Sequence, residues 1–227
     1  MKLLLKYPTR NRPKWFEQTL TRYYEFLSNK HVFRFMVTLD KDDTSMNNEY
    51  MSQWLKHFPF LDYKYGVHNS KVEACNADVD LTLDWDILVL VSDDMIPVVK
   101  GFDSIIIQKM KEHFPDTDGV LHFNDGFEGD KRNITLSIIG RKLYERIGYV
   151  YHPSYSSFFC DREFTDVVYA MGKVVYFPEV IIKHEWCGGP KSTDALYRRN
   201  SKMGRNDNKT YDRRKLLNFP NEAWGTV

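Results

Sequence analysis

The chain has 227 residues and a mass of 27.0 kDa, which suits one large domain or at most two small ones. Its 32 Lys and Arg almost balance its 31 Asp and Glu, so the net charge of +1 indicates no particular class of partner. Because 42% of the residues are hydrophobic and 15% are aromatic, the chain can bury a core, which excludes a disordered or fibrous protein.

Neither a membrane span nor a signal peptide is predicted. No run approaches 18 apolar residues, and the apolar stretch between Lys2 and Lys6 is too short for a signal peptide. The three cysteines, Cys75, Cys160 and Cys187, are widely spaced and predict neither a disulfide framework nor a zinc site. We therefore expect a soluble cytoplasmic protein, located in the host cytoplasm if the chain is viral.

Strands and helices alternate through the first ninety or so residues. A strand over 2–7 is followed by a helix that begins at Pro13, where the missing N–H costs nothing. The next predicted elements are a strand over 32–39, a helix over about 47–57, a strand over 61–67, a helix over 70–79 and an apolar strand over 87–91. This order predicts an α/β fold with a mostly parallel central sheet flanked by helices.

Polar clusters follow three of these strands. They are Pro8 to Arg12, Asp40 to Asp43, and Ser92 to Asp94. In a doubly wound sheet, ligands bind outside the carboxyl ends of the strands. We therefore expect the three clusters to form one binding site at a single edge of the sheet.

The adjacent carboxylates of Asp93 and Asp94 indicate a metal site. Two acids after a buried strand are costly unless water or a cation neutralises them, and hard oxygen ligands suit Mg²⁺ or Mn²⁺ with a diphosphate. The alternative is an ordinary exposed turn. The run Asp40 to Asp43 does not fit a calcium loop, because Ser45 and Met51 replace the required glycine and carboxylate. Walker, dinucleotide-binding and Gly-x-Ser-x-Gly motifs do not occur.

Two further candidates lie in the second half of the chain. Asp161 begins a predicted helix that ends at Gly172. It is therefore either the N-cap of that helix, worth roughly 1 kcal/mol, or a catalytic carboxylate. His184 follows an apolar strand predicted over 174–182 and is either a metal ligand or a structural residue.

The C-terminal part is basic. Residues 183–227 hold 10 Lys and Arg against 5 Asp and Glu, whereas the rest of the chain holds 22 against 26. We predict a compact body followed by a basic C-terminal segment. Its cations Lys191, Arg198, Arg199, Lys202 and Arg205 are candidates for an active-site lid that closes over a diphosphate, the alternative being a solvated face.

In this order and spacing, the motifs of residues 1–190 resemble the GT-A fold glycosyltransferases that use nucleotide sugars, most closely the inverting family 2. The resemblance is carried by Pro8-Thr9-Arg10-Asn11-Arg12-Pro13, Asp40, Ser92-Asp93-Asp94, Ile139-Gly140-Arg141, Ile147-Gly148, Asp161-Arg162-Glu163-Phe164, Gly172 and His184. It implies a nucleotide-binding half over about 1–97, an acceptor half over 98–190 and a separate segment over 191–227.

The resemblance also implies roles for single residues. The expected nucleotide-sugar contacts are Pro8, Thr9, Arg10, Arg12, Asp40, Asn69, Lys71, Asn76, Asp93, Lys191, Arg198 and Arg199. Asp94 is implied as the principal metal ligand, with Asp93 and His184 as further metal contacts, and Asp161 as the general base. Because Cys160 precedes Asp161 where the family often has Glu, Glu163 and Asp125 remain alternative bases. Ser92 stands where the family often has Asp, so this chain has one carboxylate fewer to bind the ribose or the metal.

The implied reaction is a single displacement at the anomeric carbon, dependent on Mn²⁺ or Mg²⁺. The donor would be a nucleoside-diphosphate sugar, by the family's common case UDP-linked, and the acceptor a glycan hydroxyl or a hydroxylated base in viral DNA. Two other functions stay open: nucleic-acid binding through the basic C-terminus, with Tyr197, Tyr211 and Trp224 interleaved, and nucleotidyl transfer.

Overall fold

The computed structural model describes residues 1–127, 133–185 and 194–220, which contain nine strands and eight helices. The strands are β1 (Leu3–Pro8), β2 (Phe33–Asp40), β3 (Leu61–Gly66), β4 (Ile87–Leu90), β5 (Met95–Pro97), β6 (Val120–Phe123), β7 (Ile138–Gly140), β8 (Val174–Phe177) and β9 (Ile182–His184). The helices are α1 (Pro13–Phe26), α2 (Glu49–Leu55), α3 (Lys71–Asn76), α4 (Phe102–His113), α5 (Arg141–Ile147), α6 (Cys160–Ala170), α7 (Ala195–Ser201) and α8 (Gly204–Leu216).

In the described residues, seven strands form a central sheet in the order β3-β2-β1-β4-β7-β6-β8. All neighbours are parallel except β7, which runs antiparallel to both β4 and β6. Strand β4 lies in the middle and is buried over its whole length, as its continuous apolar run predicts. The prediction of an α/β fold with a mostly parallel central sheet is confirmed.

Apolar side chains cover both faces of the sheet. On one face, Leu5 and Val89 belong to a core cluster that includes buried residues of α1, α2 and α4. On the other face, Leu4 and Leu88 belong to a cluster with α3, α5, α6 and Tyr211 of α8. Successive residues of a strand point to opposite faces, so β1 and β4 contribute to both clusters.

The prediction of one continuous strand over 174–182 is wrong, because this stretch belongs to two separate strands, β8 and β9. Pro178 follows β8 and has no N–H to donate to a ladder, which ends the pairing there. Strand β9 instead pairs antiparallel with β5, with Met95 opposite His184. This two-stranded sheet brings His184 beside the segment that follows β4.

The prediction of Asp161 as an N-cap is also wrong. Helix α6 begins at Cys160, and its N-cap residue is Phe159, whose φ of 62° lies in the left-handed region. Asp161 is therefore inside the first turn of the helix. Within the described ranges, no helix combines the length and the apolar character that a bilayer span requires.

Candidate active site

A cavity of about 550 Å³ opens at the carboxyl ends of β1, β2 and β4. Polar side chains from both halves of the chain line it, as the positions of the clusters at the strand ends predicted. The candidate site residues that it brings together are Pro8, Thr9, Arg10, Arg12, Asp40, Lys71, Asp93, Asp94, Asp161, His184 and Arg199.

Lys191 lies outside the described residues, and the remaining candidates within them do not line this cavity. The side-chain amide of Asn69 donates to the Glu73 carboxylate at 3.1 Å, at the start of α3. The side chain of Asn76 binds the backbone of residues 150 and 151, which is a structural role. Arg198 lies on the exposed side of α7, whereas its neighbour Arg199 faces the cavity.

One end of the cavity carries a network around Asp40. Its Oδ2 accepts a hydrogen bond from Arg10 Nη1 at 2.7 Å, and its Oδ1 lies 2.7 Å from His68 Nδ1. Arg10 also forms two hydrogen bonds with the exposed carboxylate of Asp42. The Arg10 Nε atom is buried without a partner among the described residues. Asp40 is thus oriented by a guanidinium and an imidazole at the end of β2.

The two adjacent acids after β4 have different environments. Asp93 is buried, and both of its carboxylate oxygens accept from Thr9 Oγ1, at 2.9 and 3.1 Å. Burial raises the pKa of Asp93 to about 7, against the lowering influence of Arg12, with a further rise caused by Asp94. Asp94 is partly accessible to the cavity and accepts from Ser92 Oγ, and its Oδ2 lies 3.4 Å from Arg12 Nη1.

His184 lies between two carboxylates. Its Nε2 is 4.0 Å from Asp94 Oδ1, and its Nδ1 is 3.5 Å from Asp125 Oδ2. The backbone N–H of His184 donates to the carbonyl of Asp125 at 2.7 Å, and Thr135 Oγ1 donates to Asp125 Oδ2 at 2.6 Å. The Nδ1 atom is buried without a hydrogen-bond partner in the described part of the chain. Asp125 therefore faces the back of the His184 ring.

This donor set fits a divalent metal that also keeps oxygen ligands from a substrate. Within the described residues, no group of three or more His, Cys, Asp or Glu side chains is arranged to hold a metal. Asp94 and His184 nevertheless offer one oxygen and one nitrogen ligand at the same cavity wall. Carboxylate and imidazole ligands suit Mn²⁺, and metal-binding histidines commonly have a carboxylate near their second nitrogen, as Asp125 is here at 3.5 Å from His184 Nδ1.

Asp161 lies on another wall of the cavity, in the first turn of α6. Its Oδ2 accepts from Asn133 Nδ2 at 3.1 Å, and its Oδ1 accepts from the backbone N–H of Arg162 at 2.9 Å. Lys71 reaches the same cavity from α3. Partial desolvation lowers the pKa of Lys71, but nearby Cys160, Asp161, Cys75 and Asp94 raise it overall, so the side chain is a cation there.

Glu163 is held away from the cavity. Its two carboxylate oxygens accept from Arg214 Nε and Nη2, each at 2.8 Å, and one also accepts from the Tyr155 hydroxyl at 2.7 Å. All three residues are buried. The structure thus gives Glu163 a structural environment, and of the three candidate bases only Asp161 lines the cavity.

Helix α7 forms a wall of the cavity, and of its lining residues the sequence predicted only Arg199 as a nucleotide-sugar contact. Asp194 caps this helix by accepting from the Tyr197 N–H at 2.7 Å, and its Oδ2 accepts from Arg12 Nε at 2.7 Å. Leu196, Tyr197, Arg199 and Asn200 line the cavity. An Asp ahead of a short helical segment is a recognisable cap signal, but its pairing with Arg12, 182 positions earlier, is not visible in a sequence.

The sheet order, the cavity at the strand ends and the acid pair after β4 define the class: this is the GT-A fold found in nucleotide-sugar glycosyltransferases. The fold expected from the sequence resemblance is therefore confirmed. No family model matches the sequence, and no curated protein matches it either.

Particular solved structures share this fold at low sequence identity. A mannosyltransferase from Pyrobaculum calidifontis, solved with GDP-Man and Mn²⁺, matches with a TM-score of 0.68 at 17% identity over 93% of this chain and 64% of that one. GalNAc-T7, solved with UDP, GalNAc and Mn²⁺, matches with a TM-score of 0.68 at 10% identity over 93% of this chain and 50% of that one. TarS of S. aureus in complex with UDP matches with a TM-score of 0.62 at 15% identity, over 81% of this chain and 60% of that one. The chain thus spans about half to two thirds of the length of these structures.

Proposed function

We propose that the chain is a metal-dependent glycosyltransferase that moves a sugar from a nucleoside-diphosphate sugar to an acceptor hydroxyl. The observation that carries this proposal is that one cavity holds Asp40 with Arg10 at one end, the Asp94–His184 pair, and Asp161. These are the three functions the reaction needs: a nucleoside site, a site for the diphosphate and its metal, and a base for the acceptor.

Arg10 and Asp40 are proposed to bind the nucleoside, and Lys71 and Arg199 to contribute positive charge toward the diphosphate. All four side chains line the cavity. Thr9 and Asp93 stabilise this wall of the cavity. The Asp93 side chain is buried against Thr9, and the Asp93 backbone carbonyl accepts a hydrogen bond from Thr19 Oγ1 at 2.9 Å. The geometry favours Asp93 as a support and Asp94 as the metal ligand.

Asp94 and His184 would hold Mn²⁺ or Mg²⁺. A metal bound there would act as a Lewis acid and offset the negative charge of the departing diphosphate. Asp94 stays oriented by Ser92 and Arg12, and His184 by Asp125 and its backbone contact. The Mn²⁺ in the similar mannosyltransferase and GalNAc-T7 structures supports Mn²⁺ as the first metal to assay.

Asp161 is proposed as the base that takes the proton of the acceptor hydroxyl while the new bond to the anomeric carbon forms. A single displacement of this kind inverts the anomeric configuration. Asn133 and the Arg162 N–H hold the carboxylate in place. Phe158 and Tyr197 line the same cavity and offer aromatic surface on which a sugar ring of a glycan acceptor can pack.

UDP sugars are our first candidate donors, because TarS and GalNAc-T7 were solved with UDP, with GDP sugars as the second. A hydroxylated base of viral DNA as the acceptor, and a cytoplasmic location, stay predictions of the sequence. Incubation with UDP and GDP sugars, with and without Mn²⁺, tests the proposal through release of nucleoside diphosphate. Release of pyrophosphate from nucleoside triphosphates would instead favour nucleotidyl transfer.

A further inference from the structure

The loop that precedes α6 is held by a buried carboxylate from α8. Three successive backbone N–H groups converge on Asp207: Ser156 on Oδ1 at 2.9 Å, Ser157 on Oδ2 at 2.8 Å and Phe158 on Oδ2 at 2.9 Å. Asp207 is only 2% exposed. A buried carboxylate with three N–H donors fixes a loop strongly, because each bond is charge-assisted.

This loop is part of the cavity wall and leads directly to the proposed base. Ser157 and Phe158 line the cavity, Phe159 follows with a φ of 62°, and Asp161 is the second residue of α6. A bulky residue in the left-handed region costs of order 1–3 kcal/mol and persists only where its surroundings fix it. The direction in which α6 starts therefore depends on what holds residues 156–158.

Helix α8 also holds the chain on the other side of Asp161. Arg214 forms two hydrogen bonds with Glu163, and the Tyr211 hydroxyl donates to Asp166. The loop is tied to α3 as well, where the Val72 N–H donates to the Ser156 carbonyl at 3.1 Å. Asp207 itself does not line the cavity, so any effect it has on the reaction passes through the loop.

We propose that Asp207 is a positioning residue for the acceptor side of the site: it fixes residues 156–159 and thereby sets the place of Asp161. The inference rests on the proposed function, in which Asp161 is the base. It assigns a role in the reaction to an acidic residue of α8, a helix in which the sequence points only to the basic and aromatic residues. A displacement of a reacting group by about 1 Å can cost up to about a hundredfold in rate.

The first arm of the test measures amide hydrogen exchange in Asp207→Ala and in the control Asp212→Ala. Asp212 is an exposed acid of the same helix whose side chain contacts Asn208. We expect exchange of the 156–158 amides to become at least about tenfold faster in Asp207→Ala, with β1 and β4 unchanged, and no change in the control. Unchanged exchange in Asp207→Ala would overturn the inference, whatever the activity.

The second arm is a double-mutant cycle with Asp161→Asn, measured as Mn²⁺-dependent hydrolysis of a UDP or GDP sugar. We expect Asp207→Ala to slow hydrolysis about 10- to 100-fold with Asp161 present, but less than about twofold in the Asp161→Asn background. The affinity for UDP with Mn²⁺ should stay constant. Losses that multiply in the double variant would show a merely structural role and overturn the inference.

If Asp207→Ala does not fold, Asp207→Asn replaces it, since the amide oxygen can still accept from Ser157 and Phe158. Its loss in rate should then be smaller, and it should again disappear in the Asp161→Asn background. A parent protein that hydrolyses no nucleotide sugar would overturn the proposed function, and the rate-based part of this inference with it. An active parent with a multiplicative cycle would overturn this inference alone.

Discussion

Asp93 and Asp94 are adjacent in the chain but differ in what their carboxylates face. Asp93 is buried against Thr9, whereas Asp94 borders the cavity beside Arg12 and His184. A metal ligand needs an accessible oxygen, and both carboxylate oxygens of Asp93 are buried against Thr9. The contrast favours Asp94 over Asp93 as the proposed metal ligand.

Asp94→Ala should abolish the stabilisation that UDP or GDP gives with Mn²⁺. A ligand present at 100 times its dissociation constant stabilises the folded state by about 2.7 kcal/mol, and this gain disappears when the metal cannot bind. Thermal unfolding with and without nucleotide and Mn²⁺ measures it. Asp84→Ala is the control, since Asp84 is exposed and pairs only with Lys2 among the contacts described. Retained stabilisation in Asp94→Ala would remove Asp94 from the metal site.

Asp125→Asn should weaken Mn²⁺ affinity by about 10- to 100-fold, because a carboxylate behind a metal-binding imidazole orients the ring and raises its basicity. Asp125 Oδ2 lies 3.5 Å from His184 Nδ1. Titration with Mn²⁺ measures the shift, and turnover should recover at saturating Mn²⁺. Turnover that stays low at saturating metal would contradict this role and return Asp125 to the candidate bases.

Asp161→Asn should slow transfer or hydrolysis by about a hundredfold or more, since an amide cannot take up a proton. Its effect on stability should be small, because the side chain is only partly buried and Asn can still accept a hydrogen bond. Steady-state rates together with chemical denaturation separate the two effects. A parental rate in this variant would exclude Asp161 as the base.

Among single residues, the sequence could predict Asp94, His184 and Arg12 as cavity residues, because each lies at or near the end of a strand. It could not choose among Asp161, Glu163 and Asp125. That choice depends on partners far along the chain, such as Arg214, 51 positions after Glu163. Burial by distant residues leaves no local pattern.

Helices α6 and α8 are joined by a buried ion pair between Glu163 and Arg214. Glu163 is 3% exposed and Arg214 8%, and Tyr155 provides a further hydrogen bond to the pair. Removing one member of a buried pair leaves the other charge without compensation, whereas replacing both by apolar residues is often neutral. The pair therefore fixes how α8 lies on α6.

Glu163→Gln should lower the free energy of unfolding by about 3 kcal/mol or more, because the buried guanidinium of Arg214 loses its counter-charge. The double variant Glu163→Leu with Arg214→Met should recover most of that loss. Urea denaturation of the parent and both variants measures the difference. Full stability of Glu163→Gln, accompanied by loss of turnover, would contradict this account and return Glu163 to the candidate bases.

Among the elements, β1 to β4 and the helices between them follow from alternating hydrophobic periods and clear turn residues. The short strands β5, β7 and β9 have three residues each, too few for any period to be read. Helix α8 is predominantly polar and basic, and its packing depends on three buried residues, Asp207, Tyr211 and Arg214. Its place against α6 could therefore not be predicted from composition.

In the molecule as a whole, both halves of the chain contribute side chains to the cavity. The first half of the chain contributes Arg10, Asp40 and Asp94, and the second contributes Asp161 and His184. At 10–17% identity to the solved structures described above, the likeness establishes the fold, and the activity rests on this convergence of side chains. The strand order explains why it arises, since carboxyl ends of neighbouring parallel strands share one edge.

In the proposed reaction, nucleotide-sugar cleavage depends on a metal held at Asp94. The most direct measurement is the rate of nucleoside diphosphate release from a UDP or GDP sugar, compared between the parent and Asp94→Ala, with Mn²⁺ and with a chelator. We predict release by the parent with Mn²⁺ only, and none above background from Asp94→Ala. Equal release by parent and variant, or release that a chelator does not reduce, would contradict the account.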